Sequence, residues 1–370
     1  MKRKLRLGLI FGGRSAEHEV SLMSARSVLK AINREKYEVT LIGITPEGKW
    51  IAGDDPLKAL TAGDMAETSE AALLGEPGKR ELLVLSEGDN PRTMQLSSIV
   101  ELEVIFPLLH GPYGEDGTVQ GLLELADLPY VGASVLGSAL AMDKGVCKEL
   151  LHAKGVPVVD WITVLRSEIE RDAEGIARRA EAKFSFPIFT KPANLGSSVG
   201  VVKAHDHAEL IDGLRESARY DRRVLIEKGV NAREIEVSVL GNDDPIASVA
   251  GEIIPSREFY SYEAKYLDDA SEWIIPAPIP PETAEQARDY AVRAFQAIDG
   301  AGMARVDFLL DKDSGELYLS EINTIPGFTQ ISMYPKLWEA SGLSYSALID
   351  RLIELALERQ AEKDRTVKRR

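Results

Sequence analysis

The chain has 370 residues, more than one hydrophobic core ordinarily organises, so two or three domains are expected. A formal net charge of −15, with 44% hydrophobic and 28% charged residues, fits a soluble protein and argues against nucleic-acid binding, though not against a local basic pocket for phosphates. No apolar run approaches the ~20 residues that span a bilayer, and the single cysteine, Cys147, can form no internal disulfide, which suits a reducing cytoplasm.

The basic residues before Leu5–Phe11 imitate a leader. The apolar run is short, broken by Arg6 and followed by no small-residue cleavage pattern, so it reads as a buried first strand. A helix is predicted over Glu19–Ile32, a second strand over Tyr37–Ile44 and another buried strand over Val104–Leu109. This order predicts an α/β fold with a parallel sheet and helices on both faces. Residues 54–91 are polar and weakly patterned, with GEPGK and EGDNP as turn signals, and are predicted to be a peripheral insertion. Ligands gather at the carboxyl ends of such strands, which singles out the loops Gly12–His18 and His110–Thr118.

A second unit is predicted from Ser134, with helices at Val135–Met142 and Gly145–Ala153 and a strand at Pro157–Val164. A helix at Glu168–Ala182, strands at Pro187–Lys191 and Val199–Lys203, a helix at Ala208–Tyr220 and a strand at Arg223–Glu227 complete it. The last unit, from Lys228, opens with strands Glu234–Leu240 and Ile246–Ile254. Its second half carries a helix at Glu282–Ile298, strands Ala304–Asp311 and Glu316–Glu321, and helices Tyr334–Ala340 and Tyr345–Gln360. The basic end, Lys363–Arg370, is expected to fray.

Chemistry shows first in the late hairpin. Arg305 and Asp307 share one face of a strand, and Glu321 and Asn323 share one face of the next. A turn centred near Ser314 places Asp307 opposite Glu321. Two adjacent carboxylates repel unless a cation lies between them. With the Asn323 amide they form an all-oxygen set suited to Mg²⁺. The loop Lys191–Gly200, KPANLGSSVG, offers a lysine, two glycines, two hydroxyls and backbone N–H groups to a polyphosphate. It lacks the Gly-Lys-Ser/Thr order of a Walker loop, and FGGRS after the first strand lacks the spacing of a dinucleotide fingerprint.

Seven motifs run in order along nearly the whole chain: FGGRSAEHEVSL (11–22), LLHGPYGEDGTVQG (108–121), MDK (142–144), TKPANLGSSVG (190–200), FYSYEAKY (259–266), ARVDF (304–308) and EINTIPGFTQISMYPKLW (321–338). In these the sequence resembles the ATP-grasp superfamily and, within it, the D-alanine–D-alanine ligases. The resemblance implies a three-domain ATP-grasp architecture, here 1–133, 134–227 and 228–370, with ATP held between the last two. It implies ligation of two D-alanines through an acyl phosphate for peptidoglycan synthesis, by a cytoplasmic homodimer.

Residue by residue, the resemblance puts Lys144 and Lys191 on the nucleotide phosphates, with Ser197 and Ser198 in the same loop. It puts Glu227, Lys228 and the backbone near Val230 on adenine, and Glu234 on the ribose. Asp307, Glu321 and Asn323 would bind two Mg²⁺ ions, with Mn²⁺ as a substitute. Glu17 would take the first ammonium group, Arg305 and the Gly327 backbone the developing oxyanion, and Ser332 and Lys265 the second substrate, with His110 near the substrates. Ser197, Tyr266 and Glu17 would join when a lid closes, and Phe259–Trp273 (about 256–273), too polar for a buried strand, is the expected lid. Glu115 and Asp116 are expected to fix their own loop. A D-alanine–D-lactate ligase is the nearest alternative, disfavoured by Tyr266. A non-catalytic nucleotide-binding module is disfavoured by the joint presence of Arg305, Asp307, Glu321 and Asn323.

Overall fold

The computed structural model describes residues 3–87, 94–254 and 272–367. The first sheet contains β1 (Leu5–Gly12), β2 (Tyr37–Ile44), β3 (Trp50–Gly53), β4 (Thr68–Leu73), β5 (Glu81–Glu87), β6 (Met94–Glu101) and β7 (Val104–Leu108), in the spatial order β6-β5-β4-β3-β2-β1-β7. Helices α1 (His18–Ala31), α2 (Pro56–Ala62) and α3 (Thr118–Leu125) belong to the same stretch. Only β2, β1 and β7 pair in parallel; from β2 to β6 every pairing is antiparallel. The expected all-parallel sheet is therefore mixed. Residues 54–87, expected as a peripheral insertion, are instead α2 and two strands of that sheet. Their signal was weak because the β4 side chains are nearly all only half-buried, and a strand partly wetted on both faces shows little alternation.

The second sheet is antiparallel throughout: β8 (Trp161–Leu165), β9 (Ile188–Pro192), β10 (Val202–Ala204) and β11 (Arg223–Lys228), in the order β10-β9-β11-β8. Helices α4 (Val135–Met142) and α5 (Lys144–Ala153) precede it, and α6 (Arg166–Glu181) and α7 (His207–Tyr220) cover it. The strand expected from Pro157 begins at Trp161. Proline has no N–H for a ladder, and the Pro157 carbonyl accepts from Leu319 N instead, at 2.8 Å. β10 likewise starts later than expected, because Ser197, Ser198 and Gly200 all hold positive φ and keep the preceding loop out of extended pairing.

The third sheet, β14-β13-β12-β15-β16, is formed by β12 (Ala232–Gly241), β13 (Ile246–Ile254), β14 (Glu272–Ile274), β15 (Gly302–Asp311) and β16 (Leu317–Asn323). It is joined by α8 (Pro281–Ala297), α9 (Met333–Ala340) and α10 (Tyr345–Asp364). Glu272 and Trp273, expected in the lid, are strand; the rest of the lid, with Lys265 and Tyr266, lies outside the described residues. Helix α10 runs to Asp364 rather than fraying from Lys363, whose Nζ is 2.6 Å from Glu124.

Packing ties the two ends of the chain together. Leu348, Ile349, Leu352 and Ile353 of α10 share a core with Leu7, Leu9, Phe11 and Phe106 of the first sheet; such side chains stabilise by ~1.5–3 kcal/mol each when buried. The other face of that sheet is closed by α3 through Leu123. Cys147 and Leu151 of α5 join the core of the third sheet. Burial pushes the Cys147 thiol up to about 12, so it packs as a small hydrophobe, as its lone occurrence suggested.

Candidate active site

The hairpin register is the one the turn position implied. Asp307 faces Glu321 and Arg305 faces Asn323 across β15 and β16, with a bulge between Asp307 and Phe308. On the other side of β15, Glu236 of β12 faces Asp307, so three carboxylates lie in one row across three strands. Arg305 supplies the countercharge: its Nε and a terminal nitrogen donate to the two oxygens of Asp307 at 2.8 and 2.7 Å, and Nε lies 2.9 Å from Glu236. Burial alone would pull the guanidinium down, but Asp307 and Glu236 outweigh it and hold it well above its ordinary value. Asn323 Nδ2 donates to Asp307 at 3.0 Å. Glu236 was not foreseen, although Glu234-Ile235-Glu236 on a strand puts two carboxylates on one face.

Lys144 is delivered to this row by a helix cap. Asp143 Oδ1 accepts from Gly145 N and Val146 N, the side-chain capping that starts α5 and stabilises a helix by ~1 kcal/mol. Its other oxygen accepts from Arg223 and Asn194. Lys144, next in sequence, donates to the Leu195 carbonyl at 2.6 Å and stands 3.7 Å from Glu321. One lysine thus touches both the Lys191–Gly200 loop and the carboxylate hairpin.

That loop turns back onto the first sheet. Ser197 and Ser198 take φ of +51° and +58°, a left-handed conformation uncommon for serine and frequent at functional sites. The Ser197 hydroxyl donates to Glu17 at 2.5 Å. Glu17, at the start of α1, is closely enclosed: a Cβ at Gly111 would stand 2.7 Å from its Oε2, and one at Gly196 would stand 3.1 Å away. Gly111 also holds φ +72°, so glycine is required there twice over.

Behind Glu17, His110 is fully buried. Its Nδ1 is 2.8 Å from the Ile325 carbonyl, which can only accept, so Nδ1 carries the proton; Nε2 then accepts from Ser24 Oγ at 3.2 Å. Ser24 Oγ in turn accepts from Phe328 N. His110 therefore positions the 325–328 segment, and burial holds its pKa below the ordinary value. Glu115 accepts from Gly111 N at 3.0 Å, and burial, then the charge of Glu17, holds its carboxyl well above the usual range. Asp116 accepts from Tyr113 N and Thr118 N. Both acidic residues fix their loop, as expected.

A cavity of about 460 Å³ opens among these elements. Of the predicted residues, Glu17, His110, Lys144, Ser197, Arg305, Glu321, Asn323, Gly327 and Ser332 line it, joined by Glu115, Glu236 and the α1 face of Met23, Arg26, Ser27 and Lys30. Ser332 Oγ accepts from Thr329 N at 3.0 Å and lies beside Gly327. Lys191, Ser198, Glu227, Lys228, Val230, Glu234 and Asp307 are not part of that lining. Lys191 and Glu227 instead pair at 2.5 Å on neighbouring strands β9 and β11, and Lys148 of α5 holds the other Glu227 oxygen at 3.2 Å. Lys148 was also missed; its signal is its place one helical turn after Lys144.

Similarity to known proteins extends over nearly the whole chain. The family models described as D-ala D-ala ligase N-terminus and C-terminus match residues 6–133 and 150–354. The D-alanine–D-alanine ligase of Acetivibrio thermocellus is 51% identical over 371 aligned positions, 97% of either chain. That of Thermoanaerobacter sp. is 50% identical, covering 98% of this chain and 99% of the relative. Among solved structures, the D-alanine–D-alanine ligase of Coxiella burnetii aligns with a TM-score of 0.82 at 36% identity, over 98% of this chain and 96% of that one. The VanG D-Ala:D-Ser ligase of Enterococcus faecalis aligns at 0.84 and 34%, over 96% of this chain and 100% of that one. The chain belongs to the D-alanine–D-alanine ligase family.

Proposed function

We propose that this protein joins two D-alanine molecules into D-alanyl-D-alanine, driven by ATP, for peptidoglycan synthesis. The observation that carries the reading is the facing pair Asp307 and Glu321 beside Arg305, with Glu321 and Arg305 on the wall of a cavity that Glu17 and Ser197 also line. The first D-alanine's carboxylate attacks the γ-phosphate, giving ADP and an acyl phosphate. The second D-alanine's amine attacks the acyl carbon, and the tetrahedral intermediate expels phosphate.

Each residue keeps the role that the family motifs give it. Glu17 takes the first ammonium group. Arg305, kept charged by Asp307 and Glu236, faces the negative charge that develops, with the Gly327 N–H as a second donor. Lys144 and Lys191 take phosphate oxygens, with Ser197 and Ser198 on the loop between them and the substrates. Glu227, Lys228 and the backbone near Val230 hold adenine, and Glu234 the ribose. Ser332 and Lys265 hold the second substrate, and Tyr266 joins Glu17 and Ser197 in the lid (about 256–273) that excludes water from the acyl phosphate.

Asp307, Glu321 and Asn323 suit Mg²⁺: all three offer oxygen, and the two carboxylates stand in register with Asn323 next along the same face. Two ions, with Mn²⁺ as a substitute, would neutralise phosphate charge there. The same reading divides the chain at 1–133, 134–227 and 228–370 and makes it a cytoplasmic homodimer. Among the described residues no helix is long and apolar enough to cross a membrane.

The test is incubation with ATP, Mg²⁺ and D-alanine, followed by phosphate release and product mass. Phosphate together with the alanine dipeptide is expected, and L-alanine should give neither. D-serine and D-lactate serve as competing second substrates; a predominant mixed product, or phosphate without dipeptide, would overturn the reading.

A further inference from the structure

Glu227 is a buried carboxylate held by two cations, one buried and one half-buried. Its side chain is 5% exposed; Lys191 is 2.5 Å from Oε2 and Lys148, 3% exposed, is 3.2 Å from Oε1. Lys148 also donates to the Val159 carbonyl at 3.2 Å, which fixes its ammonium on the α5 side. Burial alone would raise the Glu227 carboxyl, yet Lys148 and Lys191 hold it down to about 2, so it is ionised. Burial holds the Lys148 ammonium below its ordinary value, with Glu227 acting against that, and Glu321 and Glu234 also act on Lys191. In contact with Glu227 itself, where an uncompensated carboxylate is costly, the cations are in surplus.

That surplus has a chemical meaning. A single lysine paired with a buried carboxylate cannot leave it for another anion without stranding the carboxylate. With a second cation in place, the first can be shared. We propose that Lys148 is a positioning residue for nucleotide binding: by keeping a cation on Glu227, it releases Lys191 to a phosphate group of the nucleotide. This rests on the reading of Lys191 as a phosphate ligand given above.

The experiment titrates ATP and adenosine separately into the full-length wild type and into K148M, K148R and K191M, reading equilibrium affinity. Wild type should prefer ATP over adenosine, and K191M should lose that preference; a wild type without it, or a K191M that keeps it, overturns the phosphate reading itself. With that reading intact, K148M should lose at least about tenfold of the ATP preference, because Lys191 is then held as the sole partner of Glu227. Its adenosine affinity should stay within about twofold, and K148R should keep the preference. An unchanged ATP preference in K148M overturns the proposal, and so does an equal loss for both ligands, which marks a merely structural lysine. Should K148M fail to fold, K148M/E227Q carries the test, since removing both buried charges also frees Lys191. A preference at or above the wild-type value supports the proposal, and a lost preference overturns it.

Discussion

Two charge clusters differ in composition: one gathers cations about a carboxylate, the other gathers carboxylates about a guanidinium. At the β9–β11 ladder, two lysines share one carboxylate, Glu227. Across β12, β15 and β16, three carboxylates, Glu236, Asp307 and Glu321, share Arg305, with Lys144 3.7 Å from Glu321. Both clusters are largely withdrawn from water, where charge has to be compensated, and they feel each other: the charge of Glu321 also acts on Lys191. Under the proposed function the first cluster takes a nucleotide phosphate and the second a metal cation.

The comparison breaks most sharply at Asp307. Asp307→Asn removes one carboxylate of the row, and Mg²⁺-dependent ADP release should fall below detection; an unchanged metal titration would show that the carboxylate row serves something else. Arg305→Ala leaves the carboxylates without their guanidinium and takes away an oxyanion donor. Turnover should drop by roughly 10²–10³-fold, the ~2.7–4 kcal/mol that one such donor contributes elsewhere, and near-normal turnover would count against its role.

Between the clusters, Gly111→Ala would drive a methyl to within 2.7 Å of Glu17 Oε2 at a backbone φ of +72°. KM for the first D-alanine should rise on the order of tenfold, since misplacing a reacting group costs steeply, while the Mg²⁺ titration stays where it was. The smallest effect concerns His110. Its pKa is lowered in the folded state, mainly by burial. Its contribution to stability is therefore complete above the ordinary value near 6.5 and is lost as pH falls below it. Denaturant unfolding of the wild type should weaken between pH 7 and 5, and His110→Asn should flatten that slope; equal slopes would mean that another group governs the acid side.

The structure also shows which signals a linear chain can carry. The hairpin was legible because everything needed is local: side chains alternate along a strand, and one turn position fixes which residues meet, so Asp307 and Glu321 could be paired in advance. Glu17, Ser197 and Arg305 could be named from family motifs, which also implied that Ser197 and Glu17 meet, but the backbone path that brings them together was not legible. Ser197 reaches Glu17 across 180 positions of sequence because two serines adopt positive φ, which no composition rule assigns to serine. Residues 54–87 were misread because a strand half-buried on both faces, as β4 is, carries little pattern. Lys148 and Glu236 were overlooked because a buried lysine and one more glutamate look, in sequence, like solvated charges.

By itself, the sequence determined the β-α-β opening, the register of the carboxylate hairpin and membership of a ligase family, since periodicity and motif order are properties of neighbouring residues. Only the tertiary structure decided that the last helix completes the first sheet's core and that Lys144 bridges loop and hairpin. It alone decided, too, which charges the two clusters gather, because burial and countercharge are set by segments as far apart as Lys144 and Glu321.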